Sequence, residues 1–313
     1  MSTHGNHEYT IDYIPGVEPI SPKDLVAHLQ DPDTTTLINK IMFKAFEEVK
    51  KADFILHNTV QELEPHTLST LNQKHPTYAI GPVNFSTNQF TNISKSMLSE
   101  IDCTKWLDSK PPGSVLYVSF GSLIQTDKQV IEEIAQGLIL SEVNFVWTVR
   151  PSQVLNSIDS THVLPTGFMD SVKDRGLIVP WCNQTDVLSN PAVGGFLTHC
   201  GWNSILECIW CGVPMICYPV MFDQPTNRKL VVDNWKIGIN LRDGESVSRD
   251  EVASKIKKLM SGEISDGIRN EMKKFRSILH NALAEDGSSE TNFDRFVQDL
   301  KDKRKVVGKE DVA

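Results

Sequence analysis

Six short apolar, β-branched runs alternate with helical patterns through the second half of this chain, and that alternation constrains the fold more than any other feature. The runs are Val115–Phe120, Phe145–Val149, Leu177–Pro180, Val193–Thr198, Met215–Pro219 and Ile237–Leu241. Between the first two, Val130, Ile131, Ile134, Ala135 and Leu138 fall on one face of an amphipathic helix. Strands separated by helices in this way predict an α/β fold with a six-stranded parallel, doubly wound sheet. Ser248 and Glu251 have the spacing of a capping box that opens another helix through Val252, Ile256 and Leu259. Two more helices are expected, over Ile264–Leu283 and Ser289–Lys301, followed by a charged tail expected to fray.

The first hundred residues read differently. Ile38–Val49 predicts an amphipathic helix, and Asp53–Asn58 a buried strand leading to a turn at Pro65. A second strand near Tyr78–Ile80 ends at Gly81-Pro82, and the Ser/Thr/Asn-rich stretch Asn84–Asp102 reads as a linker. Two strands are too few for a self-sufficient α/β domain. This half is therefore expected to be an incomplete N-terminal α/β domain.

Composition narrows the partners. With 31 basic against 40 acidic side chains the net charge is −9, which argues against nucleic acid or an anionic membrane surface. An anionic small ligand would then be held by local dipoles and not by a global field. No apolar run is long enough to span a bilayer, and the polar opening MSTHGNHEYT lacks the apolar core of a signal peptide. Most of the six cysteines fall between Cys182 and Cys217, inside expected strands and a helix, which suits a reduced, cytosolic chain. Cys208 and Cys211 form a single C-x-x-C, half of what structural zinc needs. Asp31-Pro32-Asp33 is a D-x-D string in an expected loop, far from the segment described next, and no metal is assigned to it. The N-x-[ST] triplets at Asn84, Asn92 and Asn183 read as chance.

The chemistry concentrates in WCNQTDVLSNPAVGGFLTHCGWNSILECIWCGVPMICYPVMFDQ, residues 181–224. A strand ending at Thr198 turns through His199-Cys200-Gly201 into a helix, whose first N–H groups and positive dipole end face the crevice beyond the strand. Gly201 lets backbone approach closely, and His199, Asn203 and Ser204 add donors. Taken alone, this is equally a phosphate cradle or an ordinary capped helix with Asn203 as the cap. A G-x-G-x-x-G fingerprint is missing, because Gly194-Gly195 come at the beginning of the strand rather than after it, and this weakens a dinucleotide oxidoreductase. Gly121-Ser122, at the end of the first strand, is a second candidate phosphate contact. Trp181 follows a strand directly and can stack a flat ring, though a core or lid tryptophan reads the same way. Glu207 lies one helical turn beyond Asn203, where a carboxylate can accept both hydroxyls of a ribose or simply face solvent.

Residues 181–224 closely resemble the donor-binding signature of plant secondary-product UDP-glycosyltransferases. The resemblance extends to SVLYVSFGS and to the segment around TIDYIPGV, covering nearly the whole chain as the later two-thirds of a family member. It implies the GT-B fold, two Rossmann-like domains that bind acceptor and nucleotide-sugar respectively. On that reading residues 1–83 are a remnant of the acceptor-binding domain and 84–104 a linker. Residues 105–285 form the UDP-sugar-binding domain, and 286–313 a C-terminal helix and tail. The resemblance gives Trp181 the role of stacking on uracil, with the Cys182 backbone reading the base edge. Gln184 and Glu207 would hold the ribose, and Ser122, His199, Asn203 and Ser204 the diphosphate. Trp202, Asp223 and Gln224 would read the sugar, and glutamine at the last position goes with UDP-glucose. Asn183 stands where the family commonly has proline, between contacts, and little effect is expected.

The implied reaction is an inverting, metal-independent transfer of glucose from UDP-glucose, as co-substrate, to a hydroxyl of a small acceptor. No other cofactor is implied, and a monomer is expected. The family's base is a histidine after the first strand of the first domain, oriented by an aspartate; no position here matches either. His4, His7, His28, His57, His66 and His75 all lack that context, so the catalytic residue is left unassigned. The chain is expected to be a fragment with little transfer activity of its own, or else a non-catalytic UDP-sugar-binding remnant.

Overall fold

The structure, a computed structural model, describes residues 9–85, 99–122, 124–150 and 164–310. Packing divides the chain into two units: residues up to Lys95 together with those from Ser277 onward, and Ser96–Arg276. Most of the expected linker, and His4 and His7, lie outside the described residues.

In the first unit α1 (Ala27–Gln30) and α2 (Leu37–Val49) precede β1 (Ile55–His57), and α3 (Pro65–Asn72) leads into β2 (Thr77–Ala79). The Thr36 hydroxyl caps α2 by accepting the Asn39 N–H at 3.2 Å. Pro65 was expected in a turn but opens α3, where a residue without an N–H costs no helical bond. β1 and β2 pair in parallel, Leu56 opposite Tyr78. Asp31 and Asp33, the D-x-D pair, spend their carboxylates on local turns: Asp31 accepts the Asp33 N–H, and Asp33 accepts the N–H and hydroxyl of Thr35.

The second unit opens with α4 (Thr104–Leu107) and then alternates strictly. β3 (Val115–Ser119), α5 (Lys128–Ser141), β4 (Asn144–Thr148), α6 (Phe168–Val172), β5 (Gly176–Val179) and α7 (Gln184–Ser189) make its first half. β6 (Val193–Thr198), α8 (Trp202–Cys211), β7 (Met215–Cys217), α9 (Gln224–Lys229), β8 (Gly238–Asn240), α10 (Arg249–Met260) and α11 (Glu263–Ala282) complete it, the last residues of α11 grouping with the first unit. All six strands are parallel, in the spatial order β5-β4-β3-β6-β7-β8. The chain moves outward from β3 through β4 and β5, then crosses back to β6 on the other flank. That reversal leaves a crevice beyond the carboxyl ends of β3 and β6, the place where open α/β sheets bind ligands.

Burial explains why the strands are legible. β3 and β6 are covered on both faces, so they read as continuous apolar runs, and Phe145 and Trp147 of β4 are fully buried. α5 turns Ile131, Ile134 and Leu138 into the core shared with Val252 and Ile256 of α10. The Asp127 carboxylate caps α5 by accepting the Gln129 N–H at 3.0 Å. The expected capping box of α10 forms only half. Ser248 accepts the Glu251 N–H, but the Glu251 carboxylate takes the Asp243 N–H at 2.8 Å. Gly194-Gly195 lie within β6, at the start of the expected run Val193–Thr198.

The last helix, α12 (Ser288–Glu310), runs well past the expected end at Lys301 and belongs to the first unit instead of standing apart. Its Phe296 packs on Phe54 and Tyr78, Asp299 accepts the Tyr78 hydroxyl at 2.6 Å, and Lys303 pairs with Asp53. Those contacts hold a stretch whose charge alone suggested fraying. Among the described residues no helix is long and apolar enough to cross a membrane.

Candidate functional site

A hollow of about 430 Å³ opens at the crevice between β3 and β6. Tyr117, Ser119, Gly121 and Ser122 come to it from β3 and the turn after it, and Thr148 from the end of β4. Trp181 and Cys182 follow β5, Gln184 begins α7, and His199 and Gly201 form the turn after β6. Trp202, Asn203, Ser204 and Glu207 come from the first turns of α8. Nine of the eleven residues assigned to the donor from sequence therefore meet in one place.

The N-terminus of α8 opens on the hollow. Gly201 is its cap residue, so Asn203 is the second residue of the helix and not its cap. The first i→i+4 bond is Ile205 N–H to Gly201 C=O at 3.1 Å, and the turn ahead of it, Trp202 to Ser204, borders the hollow. Cys200, at φ +67°, takes the left-handed conformation that swings the chain from strand to helix, and its N–H is held by the Thr198 hydroxyl at 3.2 Å.

His199 is buried and sits between two glycines. A Cβ on Gly121 would lie 2.7 Å from its Cε1 and Nε2, and one on Gly201 would lie 2.4 Å from Nε2. Burial pulls its pKa down to about 4, against the opposing pull of a bond to the Ser119 backbone and the negative charge of Asp223. At neutral pH the ring is therefore uncharged and offers a phosphate a hydrogen bond instead of a cation.

Gln184 and Glu207 are already coupled. The Gln184 amide donates to Glu207 Oε2 at 2.5 Å and to the Ser204 hydroxyl at 2.9 Å, tying the start of α7 to α8. Asn183 makes this possible, because its side chain caps α7 by accepting the Asp186 N–H at 3.3 Å. The residue that departs from proline thus has a structural task that sequence reading missed. The Trp181 carbonyl accepts the Ile101 N–H at 2.9 Å, which anchors the backbone of the aromatic plate. Cys103, Thr148 and Tyr117 surround the Cys182 thiol with hydrogen-bonding groups and hold its pKa below the usual thiol range.

Asp223 and Gln224 stand outside this lining. Gln224 is buried, and its side-chain oxygen accepts the N–H groups of Val220 and Met221 at 2.8 and 2.9 Å. With its oxygen so engaged, Gln224 can address a ligand only as a donor, through Nε2. Asp223 is exposed at the start of α9 and accepts from the Asn227 amide at 2.8 Å. Trp202 rests against Trp235 (centroids 6.2 Å apart), which follows a π-helical turn at Leu230–Asn234. Of the histidines passed over in the sequence, His28, His57, His66 and His75 lie in the first unit, with His28 buried between Phe43 and Phe46.

Comparison with known proteins identifies the family. Residues 24–281 match the family described as UDP-glucoronosyl and UDP-glucosyl transferase. UDP-glycosyltransferase 86A1 of Arabidopsis thaliana is 53% identical over 302 residues, covering 95% of this chain and 61% of that protein. The 7-deoxyloganetin glucosyltransferase of Catharanthus roseus is 38% identical over 310 residues, covering 96% of this chain and 62% of that protein. This chain thus spans about three fifths of the length of these relatives. The structure of Phytolacca americana UGT2 complexed with UDP-2fluoro-glucose and pterostilbene superposes with a TM-score of 0.79 at 33% identity, covering 95% of this chain and 66% of that one. The expected GT-B class of α/β fold is the class of these neighbours.

Proposed function

We propose that this chain, which belongs to the UDP-glucoronosyl and UDP-glucosyl transferase family, binds UDP-glucose in the hollow at β3 and β6 for glucosyl transfer to a hydroxyl of a small acceptor. One observation carries the reading. The N-terminal turn of α8, a coupled Gln184–Glu207 pair and the Trp181 plate line a single hollow at the switch point of the sheet.

In this reading uracil stacks on Trp181 with its edge on the Cys182 backbone, and the ribose hydroxyls go to Glu207, whose position Gln184 fixes. The diphosphate meets Ser122, His199, Ser204 and Asn203 at the start of α8. Trp202, Asp223 and the Gln224 amide group read the glucose. In the reaction the acceptor oxygen bonds to the anomeric carbon as the bond from that carbon to the β-phosphate oxygen breaks, inverting the centre. A base takes the hydroxyl proton, and that base is assigned to no residue of this chain. Charge developing on the departing UDP is met by the α8 dipole and the neutral His199 N–H, electrostatic work that needs no metal. The reading includes a monomeric chain and places it in the cytosol, where a reducing compartment keeps cysteines such as these six as free thiols.

Trp181→Ala tests the assignment. Removing the stacking plate should weaken UDP-glucose by about 1–3 kcal/mol, the range for base–aromatic stacking elsewhere. Titration calorimetry on the 313-residue chain reads this directly, and an unchanged affinity would overturn the assignment.

A further inference from the structure

A diphosphate carries at least two negative charges, yet among the described residues lining the hollow there is no lysine or arginine, and Glu207 adds a negative charge. The whole chain is itself acidic. The cation that answers this lies one residue layer back. Arg150, just beyond the end of β4, donates from Nη2 to the Gly121 carbonyl at 2.9 Å. Burial lowers its pKa, but an arginine starts so high that it stays charged at any physiological pH.

That bond also fixes a peptide plane. In a trans peptide the C=O and N–H point in opposite directions, so anchoring the Gly121 carbonyl on Arg150 directs the Ser122 N–H away from Arg150. Ser122 borders the hollow and Arg150 does not. Gly121 itself is at φ +71° and packs against His199, so the same peptide joins the Ser122 turn to the buried imidazole.

We propose that Arg150 is a positioning residue for the donor's diphosphate: its guanidinium clamps the Gly121–Ser122 peptide so that the Ser122 backbone N–H faces the phosphates, and it supplies the positive charge that the lining lacks. This rests on the donor reading given above. It adds a residue outside the 181–224 segment, on a strand end with no motif of its own.

The test separates phosphate from base. Calorimetry on the full 313-residue chain compares UDP with uridine for the parent, Arg150→Gln and Arg150→Lys. Arg150→Gln should weaken UDP roughly tenfold or more, the scale of a hydrogen bond to a charged group, while uridine affinity changes less than twofold. Arg150→Lys keeps the charge without the planar fork and should recover part of the loss. Raising the salt concentration should narrow the gap between parent and Arg150→Gln for UDP and leave uridine unaffected. Equal weakening of UDP and uridine would overturn the proposal and reduce Arg150 to general support of the fold. Unchanged UDP affinity in Arg150→Gln would overturn it as well. If the parent bound neither UDP nor uridine, the donor reading itself would fall; a parent that binds both, with variants that do not discriminate, confines the failure to Arg150.

Discussion

Gly201→Ala is expected to reduce UDP affinity at least about a hundredfold while leaving the second unit folded. The backbone at Gly201 (φ −64°, ψ 139°) suits alanine, so the substitution brings no conformational strain. The added methyl, however, would stand 2.4 Å from His199 Nε2 and 3.1 Å from Cε1. Retreat toward Gly121 is limited, since the ring already lies where a Cβ on Gly121 would come within 2.7 Å of it. It must leave the cradle, taking with it one hydrogen bond to a charged ligand and disturbing the first N–H groups of α8. Each such bond is worth about 1.5–3 kcal/mol, and losing two reaches the stated factor. Calorimetry with UDP, beside a thermal melt, checks both halves. An affinity within twofold of the parent would mean that the glycines are not what seats His199.

The second large effect is on stability and follows from His199 being held uncharged. Its pKa is about 4 in the folded chain, against 6.5 when exposed. Below pH 6.5 the unfolded chain takes up a proton that the folded chain refuses until about pH 4. Stability from this group is therefore complete above pH 6.5, falls as the pH drops through that window, and is level below it. The full loss is about 3 kcal/mol. Other groups titrate in the same range, including His57, whose pKa burial also lowers. Urea unfolding at several pH values should thus compare the parent with His199→Gln. The parent should lose stability relative to His199→Gln as the pH falls from 6.5 to 4, and a constant difference between the two profiles would show that His199 is not buried uncharged.

What could be read from sequence followed the range of the interactions involved. β6 matched its expected bounds because it is buried on both faces and runs into the His199 turn, so pattern and packing coincide. α8 and the residues along its first turns were legible because helix N-terminal chemistry is local. α12 was underestimated because its anchors, Tyr78 and Asp53, lie more than two hundred positions away. Pro65 was misplaced because proline suits a turn and a first helical position equally. Asn183 looked like a neutral departure from a motif; only the formed α7 shows it as a cap. Arg150 gave no signal at all, since its partner is a backbone carbonyl on a neighbouring strand end. Gln224 illustrates the converse: the motif suggests a sugar reader, and packing gives its oxygen to the loop at Val220 and Met221.

The central claim is that the hollow at β3 and β6 receives the whole nucleotide, base at one end and diphosphate at the other. A crystal structure of the 313-residue chain with UDP tests it most directly. The uracil ring should stack on the Trp181 indole, with the ribose hydroxyls within hydrogen-bond distance of Glu207 and the phosphates at the first N–H groups of α8 beside His199. UDP seated elsewhere, or in this hollow with its phosphates turned away from α8, would contradict it.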